Sequence, residues 1–587
     1  DLLLKVQSID LMKIENHKNH HTDLYQDNIC VLRRSQTFQM WITLSRPFHP
    51  LPVCSHLDDS VFLDDEEDRQ EYVLNDVGCI YWGRVNQIEA RTWNYGQFDS
   101  GILATCLYIL EKSKTLCSGW GDPVNMVRII SAMVNSNNDC GVLVGKWSGD
   151  YTGGTNPTFW NGSVEILQQY YASKGSPVKY GQCWVFGGVT TTVLRCLGIP
   201  TRTVTNFNSA HDTDVSLTID VYVDENMDFI TNKNHDSIWN FHVWNDCWMA
   251  RPYLPPGNGG WQAVDATPQE TSNGIHCCGP APLTAIRNGQ VYLKYDCPFV
   301  FAKVNGDRIL WQRNADGTYS KISIEQKVVG CNISTKAVGS DERNDITHMY
   351  KYAEEERIAV ETACSYGSKP DTYESPTAKD VTMKVVMEGE GPKLGSDAEL
   401  IVKFINHSCE NRNVSLNSQL AVMYYTGVHK ATFQKEKRDL DLLPNKETKV
   451  KLALSYHKYK DLLVDQGALM LTLLGRVKET QQVLPYLPSV LLPQPIGTPV
   501  VGQKMKVEIS FINPLPEELK DVVLNVEGIG LLPVQKITHG RVTITKDFTP
   551  TLAGAKKLVA SLHCSQLTQV HGVADIYVEA CSSNTQE

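Results

Sequence analysis

Residues 183–197 impose the first constraint on the fold. Gly187 to Cys196 contains no proline, and Val189, Val193 and Leu197 recur at near-helical spacing until Gly198 and Pro200 end the run. Helical patterns over 103–112, 124–134 and 164–171 precede it, and strand patterns follow from Thr201. Helices and strands gathered into separate blocks predict an α+β unit.

Cys183, in Tyr180-Gly181-Gln182-Cys183-Trp184-Val185-Phe186, falls where that helix begins. A helix amino terminus carries unpaired N–H groups and partial positive charge, which favour a thiolate. The expectation is therefore a nucleophilic thiol at neutral pH. A base candidate, His242, lies in the aromatic and β-branched run Ile238 to Asn245, which reads as a strand. A second strand-like run, Gly260 to Pro268, follows a Pro- and Gly-rich turn and carries Asp265. Antiparallel pairing would bring Asp265 to His242 and fix the imidazole tautomer, leaving the other nitrogen to take the thiol proton. Each residue also has a structural reading: packed core cysteine, satisfied strand histidine, turn-capping aspartate.

Asp212-x-Asp214-x-Ser216-x-Thr218 sets oxygen-bearing side chains on alternate residues, a spacing that suits a loop around a hard cation. It lacks the glycine and closing glutamate of an EF-hand.

Six ordered strings extend the pattern: Trp93-Asn94-Tyr95-Gly96-Gln97-Phe98, Trp147-Ser148-Gly149-Asp150, Tyr180 to Phe186, Asn206 to Asp214, Trp239 to Trp244, and Trp261 to Gln269. By them the chain resembles the animal calcium-dependent transglutaminases, over most of its length. The runs Tyr424 to Val428, Leu463 to Ala468 and Gln569 to Val573 resemble the keratinocyte branch of that family. The resemblance implies that Cys183, His242 and Asp265 form a catalytic triad and that the Trp147 indole N–H stabilises an oxyanion. It adds Asp236 as a calcium ligand. It also implies a second calcium site at Ala132 (through its carbonyl), Asn135, Asn137 and Asp139, and a third at Asn305, Glu354 and Glu356. Tyr352-Ala353-Glu354-Glu355-Glu356-Arg357 is shorter than the family's loop at the third site.

The implied architecture is a papain-like α+β catalytic core, preceded by a β-sandwich and followed by two β-sandwich or barrel domains. Boundaries read at 1–60 for the first sandwich, 61–365 for the core, 366–378 for a linker, and 379–486 and 487–587 for the last two domains. The first sandwich reads as strands over 3–6, 29–32 and 38–44, with the His20-His21-Thr22-Asp23 stretch between them, and as incomplete.

The implied reaction joins a protein glutamine to a lysine ε-amine, or a small primary amine, through a cysteine thioester. Rival readings are a thiol protease or amidase on the same triad and an inactive scaffold. In closed relatives a tyrosine contacts the nucleophile, and Tyr456 is the expected counterpart. Trp147, Trp184, Trp239 and Trp244 are expected to exclude water near the site.

Net charge −11 and pI about 5.8 exclude a general nucleic-acid footprint. No apolar run reaches the roughly 18 residues of a membrane span, and the first residues do not resemble a signal peptide. Membrane association is expected only through a lipidated amino-terminal extension, which this chain does not carry. The 17 cysteines are irregularly spaced, lack paired Cys-x-x-Cys units and are expected to be free thiols, Cys277 and Cys278 included. The expected compartment is the cytoplasm.

Overall fold

The computed structural model describes residues 6–25, 29–33, 38–44, 60–138, 140–230, 232–352, 359–360, 362–363, 379–387, 397–464 and 468–486, then strands at 505–512, 519–526, 530–537, 541–548, 554–563 and 570–578. The expected linker at 366–378, the expected boundary near 487, and Asp139, Glu354 and Glu356 lie outside the described residues.

The Cys183–Cys196 helix is buried along its whole length. Several of its polar residues have internal partners. The Thr191 and Thr192 hydroxyls donate back to the carbonyls of Gly187 and Gly188 (3.1 Å each), and the Arg195 guanidinium donates to the Thr201 carbonyl (2.9 Å). Gly188 permits close packing: a Cβ there would lie 2.4 Å from the Trp93 ring. Val185, Val189 and Val193 lose all exposure, and burial of each stabilises the fold by about 1.5–3 kcal/mol.

This helix packs on a six-stranded sheet. The sheet runs Cys278–Pro282, Gly260–Asp265, Ser237–Met249, Thr201–His211, Cys331–Lys336 and Arg343–Asp345, with antiparallel neighbours throughout. The expected hairpin is present: Val264 pairs with Asn245 and Gly260 with Met249. The helices Ile102–Lys112, Pro123–Met133 and Val164–Ala172 also form, within about a residue of their expected bounds. The helix Cys297–Asn305 covers the sheet near its Asp265 end, and its Val300, Phe301 and Val304 enter the second apolar core.

From Val381 onward the elements of the described residues are strands, apart from the short helical turns over Tyr456–Tyr459 and Lys460–Leu462. A three-stranded sheet (Val381–Met387, Ala398–Asn406, Glu447–Leu454) faces a four-stranded one (His429–Leu442, Arg412–Met423, Ala468–Val477, Val483–Tyr486). Val402, Phe404, Val414, Leu416 and Leu473 fill the space between them. Beyond them, Met505–Ile512 pairs with Arg541–Phe548, and a four-stranded sheet holds Gly530–Ile537, Leu519–Val526, Gly554–His563 and Val570–Val578.

The amino-terminal segment departs from expectation. Its described strands are Val6–Asp10 and Trp41–Leu44, paired antiparallel, with a helix Lys13–Asn19 between them. Residues 29–32 form no strand. Side chains of the helical turn take their backbone groups instead: His17 Nε2 accepts from Val31 N–H (3.0 Å), and His20 Nδ1 accepts from Arg33 N–H (2.9 Å). Asn16 does the same at Gln39, accepting its N–H (2.9 Å) and donating to its carbonyl (2.6 Å).

Candidate active site

Gln182 explains why Cys183 meets an open helix end. Its backbone is extended and its side chain makes no cap; the amide donates instead to the Lys146 carbonyl (2.9 Å) and the Tyr151 hydroxyl (2.8 Å). The Trp184 N–H thus stays available and acts on the thiol, while the Val185 and Phe186 N–H groups donate to the Gln182 carbonyl. Val243 N–H, one residue beyond His242, acts on it from the sheet.

His242 Nε2 lies 2.6 Å from Asp265 Oδ2. Both side chains are buried. His242 Nδ1 is buried and has no hydrogen-bond partner among the described residues. With the proton on Nε2, that nitrogen presents a lone pair and nothing consumes it. Asp265 Oδ1 accepts from Thr267 N–H (2.9 Å), so both carboxylate oxygens are engaged.

Lys303 completes the group and had no place in the sequence reading. Its ammonium donates to Asp265 Oδ2 (2.8 Å) and Glu270 Oε2 (3.2 Å), and its side chain is 1% exposed. Burial pushes Asp265 up, but the charges of Lys303 and His242 outweigh it and hold the carboxyl well below the usual range. Burial likewise pushes Lys303 down, and the two carboxylates more than reverse it. The available signal was a lysine inside the apolar run Phe299 to Val304, which requires a buried counter-charge.

A tyrosine does contact the thiol, but it is Tyr425, and Tyr456 is not at the site. Tyr425 OH donates to Cys183 Sγ (3.4 Å) and accepts from the Trp147 indole N–H (2.9 Å). Tyr456 begins a short helix, Tyr456–Tyr459, and packs on Tyr459 at 5.6 Å. Tyr425 sits at a hairpin tip between Arg412–Met423 and His429–Leu442, whose Gly427 takes φ +74. A Cβ on Gly427 would meet the Ile238 carbonyl at 2.4 Å, so only glycine lets the tip lie on the Ser237–Met249 strand. Asn240 N–H donates to the Tyr425 carbonyl (2.8 Å), fixing the register of that docking.

Under this cover Cys183 is fully buried, and burial pushes its thiol up to about 12 despite the Tyr425 hydrogen bond. The expected neutral-pH thiolate is therefore absent from this conformation: desolvation exceeds the help of the helix terminus. Trp184, Trp239 and Phe241 surround Tyr425 with ring centroids 4.9–5.8 Å away. Trp147 stacks on Phe186. Trp244 lies against the imidazole, its ring centroid 5.7 Å from that of His242, and its indole donates to the Tyr350 hydroxyl (2.9 Å) within the second core.

Asp212, Asp214 and Asp236 each bring one carboxylate oxygen within 4.8 Å of the others. Burial pushes Asp212 up to about 7, and the neighbouring Asp214 and Asp236 add to it. Gathered carboxylates with that strain are a donor set for a hard cation, so the residues fit calcium. The Ser216 and Thr218 hydroxyls lie on the same loop, 2.9 Å apart. At the second expected site, Asn135 Oδ1 accepts from Asn137 N–H (3.1 Å) and Asn135 Nδ2 donates to the His276 carbonyl (2.9 Å). Ala132 lies in the Pro123–Met133 helix that leads into this loop. Of the third expected set only Asn305 is described, at the end of Cys297–Asn305.

A thiol at a helix start, an imidazole held by a carboxylate and a fixed indole donor can together perform acyl transfer. Comparison with known proteins agrees with the architecture. Residues 7–56 match the domain described as "Transglutaminase family", 153–266 the "Transglutaminase-like superfamily", and 381–485 with 495–580 the "Transglutaminase family, C-terminal ig like domain". The chain is 52% identical to human "Protein-glutamine gamma-glutamyltransferase K" over 89% of its own length, and spans 65% of that relative's length. It is 37% identical to the human "Coagulation factor XIII A chain", covering 98% of this chain and 93% of that one. The crystal structure of red sea bream transglutaminase superposes with TM-score 0.85 at 30% identity, over 98% of this chain and 100% of that one. Fold, collinear domains and identity over nearly the full length of such relatives establish that this chain belongs to the transglutaminase family.

Proposed function

We propose that the protein is a calcium-dependent protein-glutamine γ-glutamyltransferase that forms glutamyl-lysine isopeptide cross-links. The observation that carries this reading is the buried imidazole of His242, bound at Nε2 by Asp265 and open at Nδ1, in the strand that lies against the Cys183 thiol.

In the reaction, the Cys183 thiol gives its proton to His242 and its sulfur attacks the γ-carboxamide carbon of a glutamine. Trp147 N–H donates to the oxyanion. His242 returns the proton to the departing ammonia, and a thioester remains. A lysine ε-amine or a small primary amine attacks that thioester, His242 takes the amine proton, and the thiol leaves as the isopeptide forms. Trp184 and Trp239 keep water from the thioester.

Asp212, Asp214 and Asp236, with Ser216 and Thr218, would hold calcium, whose charge neutralises the gathered carboxylates. Further sites would use Ala132, Asn135, Asn137 and Asp139, and Asn305, Glu354 and Glu356. Asp236 immediately precedes the Ser237–Met249 strand on which the Tyr425 hairpin rests, which couples that loop to the cover over Cys183. The domain division at 1–60, 61–365, 379–486 and 487–587 belongs to this reading. No helix among the described residues is long and apolar enough to cross a membrane. A cytoplasmic location suits the described free thiols, Cys277 and Cys278 among them.

The test is incorporation of a fluorescent primary amine into a glutamine-bearing protein, beside ammonia release. Calcium-dependent incorporation that Cys183→Ala abolishes is expected. Peptide cleavage, or ammonia release with no amine joined, would replace this reading with the amidase or protease.

Tyr425→Phe is expected to lower the calcium concentration for half-maximal activity by about threefold or more. It removes hydrogen bonds worth about 0.5–1.5 kcal/mol each from the covered state alone. Tyr456→Phe is expected to leave the calcium curve in place. A calcium titration of both variants decides it, and equal curves would remove Tyr425 from the regulatory role.

A further inference from the structure

The structure assigns Lys303 as a positioning residue for Cys183, His242 and Asp265: its ammonium orients the Asp265 carboxylate and limits how strongly that carboxylate stabilises a protonated His242. This inference rests on the proposed acyl-transfer reading of that group.

The argument begins with which oxygen is used. Asp265 Oδ2 accepts from both His242 (2.6 Å) and Lys303 (2.8 Å), while Oδ1 accepts from Thr267 N–H (2.9 Å). Three donors fix the carboxylate plane, so the imidazole has one orientation. A salt bridge that only anchored the Cys297–Asn305 helix could have used Glu270 alone. That helix is already held at this point, because Asn206 Nδ2 donates to the Lys303 carbonyl (2.8 Å). The ammonium sits instead one oxygen atom away from the imidazole.

Charge follows from the same geometry. Asp265 and Glu270 are two negative groups, and Lys303 cancels one of them. The other titratable groups facing this cluster are Cys183 on its helix, His211 on the neighbouring strand, Cys278 on the edge strand, Asp236 at the strand entrance and Tyr425 from the hairpin. Removing a buried positive charge at this range makes proton loss from the Cys183–His242 pair harder. At an effective dielectric near 20 the shift is about one pH unit or more.

The test follows alkylation of Cys183 by iodoacetamide in calcium from about pH 5 to 9.5, read by peptide mass spectrometry so that other thiols do not contribute. In Lys303→Met the rise of the alkylation rate is expected to move to higher pH by about one unit or more. Lys303→Arg keeps the charge and is expected to stay near the wild-type midpoint. If Lys303→Met does not fold, Lys303→Met/Glu270→Gln removes the ammonium together with its outer partner. An upward shift of about half a unit is then expected, because Lys303 lies nearer Asp265. A folded Lys303→Met, or the double variant, with the wild-type midpoint would overturn the assignment. Amine incorporation separates the two ideas: wild type that alkylates Cys183 but joins no amine sinks the acyl-transfer reading, whereas active wild type with an unmoved Lys303→Met profile sinks only this one.

Discussion

Asp265→Asn is expected to lower kcat for amine incorporation by about 10³–10⁴-fold, the scale seen when a triad carboxylate becomes an amide. The cause is local. Asp265 Oδ2 holds the proton of His242 on Nε2, which leaves Nδ1 open. An amide NH₂ in that place donates to Nε2, moves the imidazole proton to Nδ1 and removes the base. The same substitution strips Lys303 of its nearer carboxylate, leaving Glu270 at 3.2 Å. A buried ammonium losing one of two partners costs about 3 kcal/mol, the lower end for a broken buried pair because Glu270 remains. Calorimetry is therefore expected to show a lower Tm for the core along with the loss of turnover. Near-wild-type kcat in a folded Asp265→Asn protein would remove Asp265 from the chemistry and leave it as an anchor for Lys303.

Trp147→Phe is the second large effect, with a different signature. The indole N–H of Trp147 is satisfied by the Tyr425 oxygen, which itself touches Cys183 Sγ. The oxygen of a carbonyl whose carbon is bonded to that sulfur would occupy the region the Tyr425 oxygen holds now. Once the hairpin leaves, the donor faces that oxygen, so its contribution belongs to the transition state. Phenylalanine keeps the stacking on Phe186 and loses only the N–H. Turnover is expected to fall about 10²–10³-fold with KM for the glutamine substrate nearly unchanged. Iodoacetamide alkylation of Cys183 in calcium, which needs no oxyanion donor, is expected to proceed at the wild-type rate or faster, since the cover is weakened. A rise in KM with constant kcat would instead assign Trp147 to substrate binding.

Local chemistry made much of this molecule legible. The helix starting at Cys183 and the strand carrying His242 follow from breakers, β-branched residues and turn composition, all of which act within a few residues. The Asp212 to Thr218 spacing likewise announces a cluster of oxygens before any fold is known. The charged strand His429–Leu442 is hidden from local reading for an equally local reason. It lies at a sheet edge and carries Lys435, Glu436, Lys437 and Arg438, so it has neither a hydrophobic run nor an apolar face to detect.

Three features of the site depended on distance in sequence. Tyr425 reaches Cys183 across 242 residues, and nothing in its own hairpin distinguishes it from Tyr456 as the residue that will touch sulfur. Lys303 reads as an anomaly in an apolar helix until the sheet brings Asp265 to it, 38 residues away. The protonation state of Cys183 turned on burial by another part of the chain, which outweighs the helix terminus that the sequence announces. Sequence by itself determined which groups could do chemistry, because bonding capacity and local conformation are properties of neighbouring residues. Tertiary structure decided which of them meet and in what charge state, because contact and desolvation are set by parts of the chain that share no local pattern.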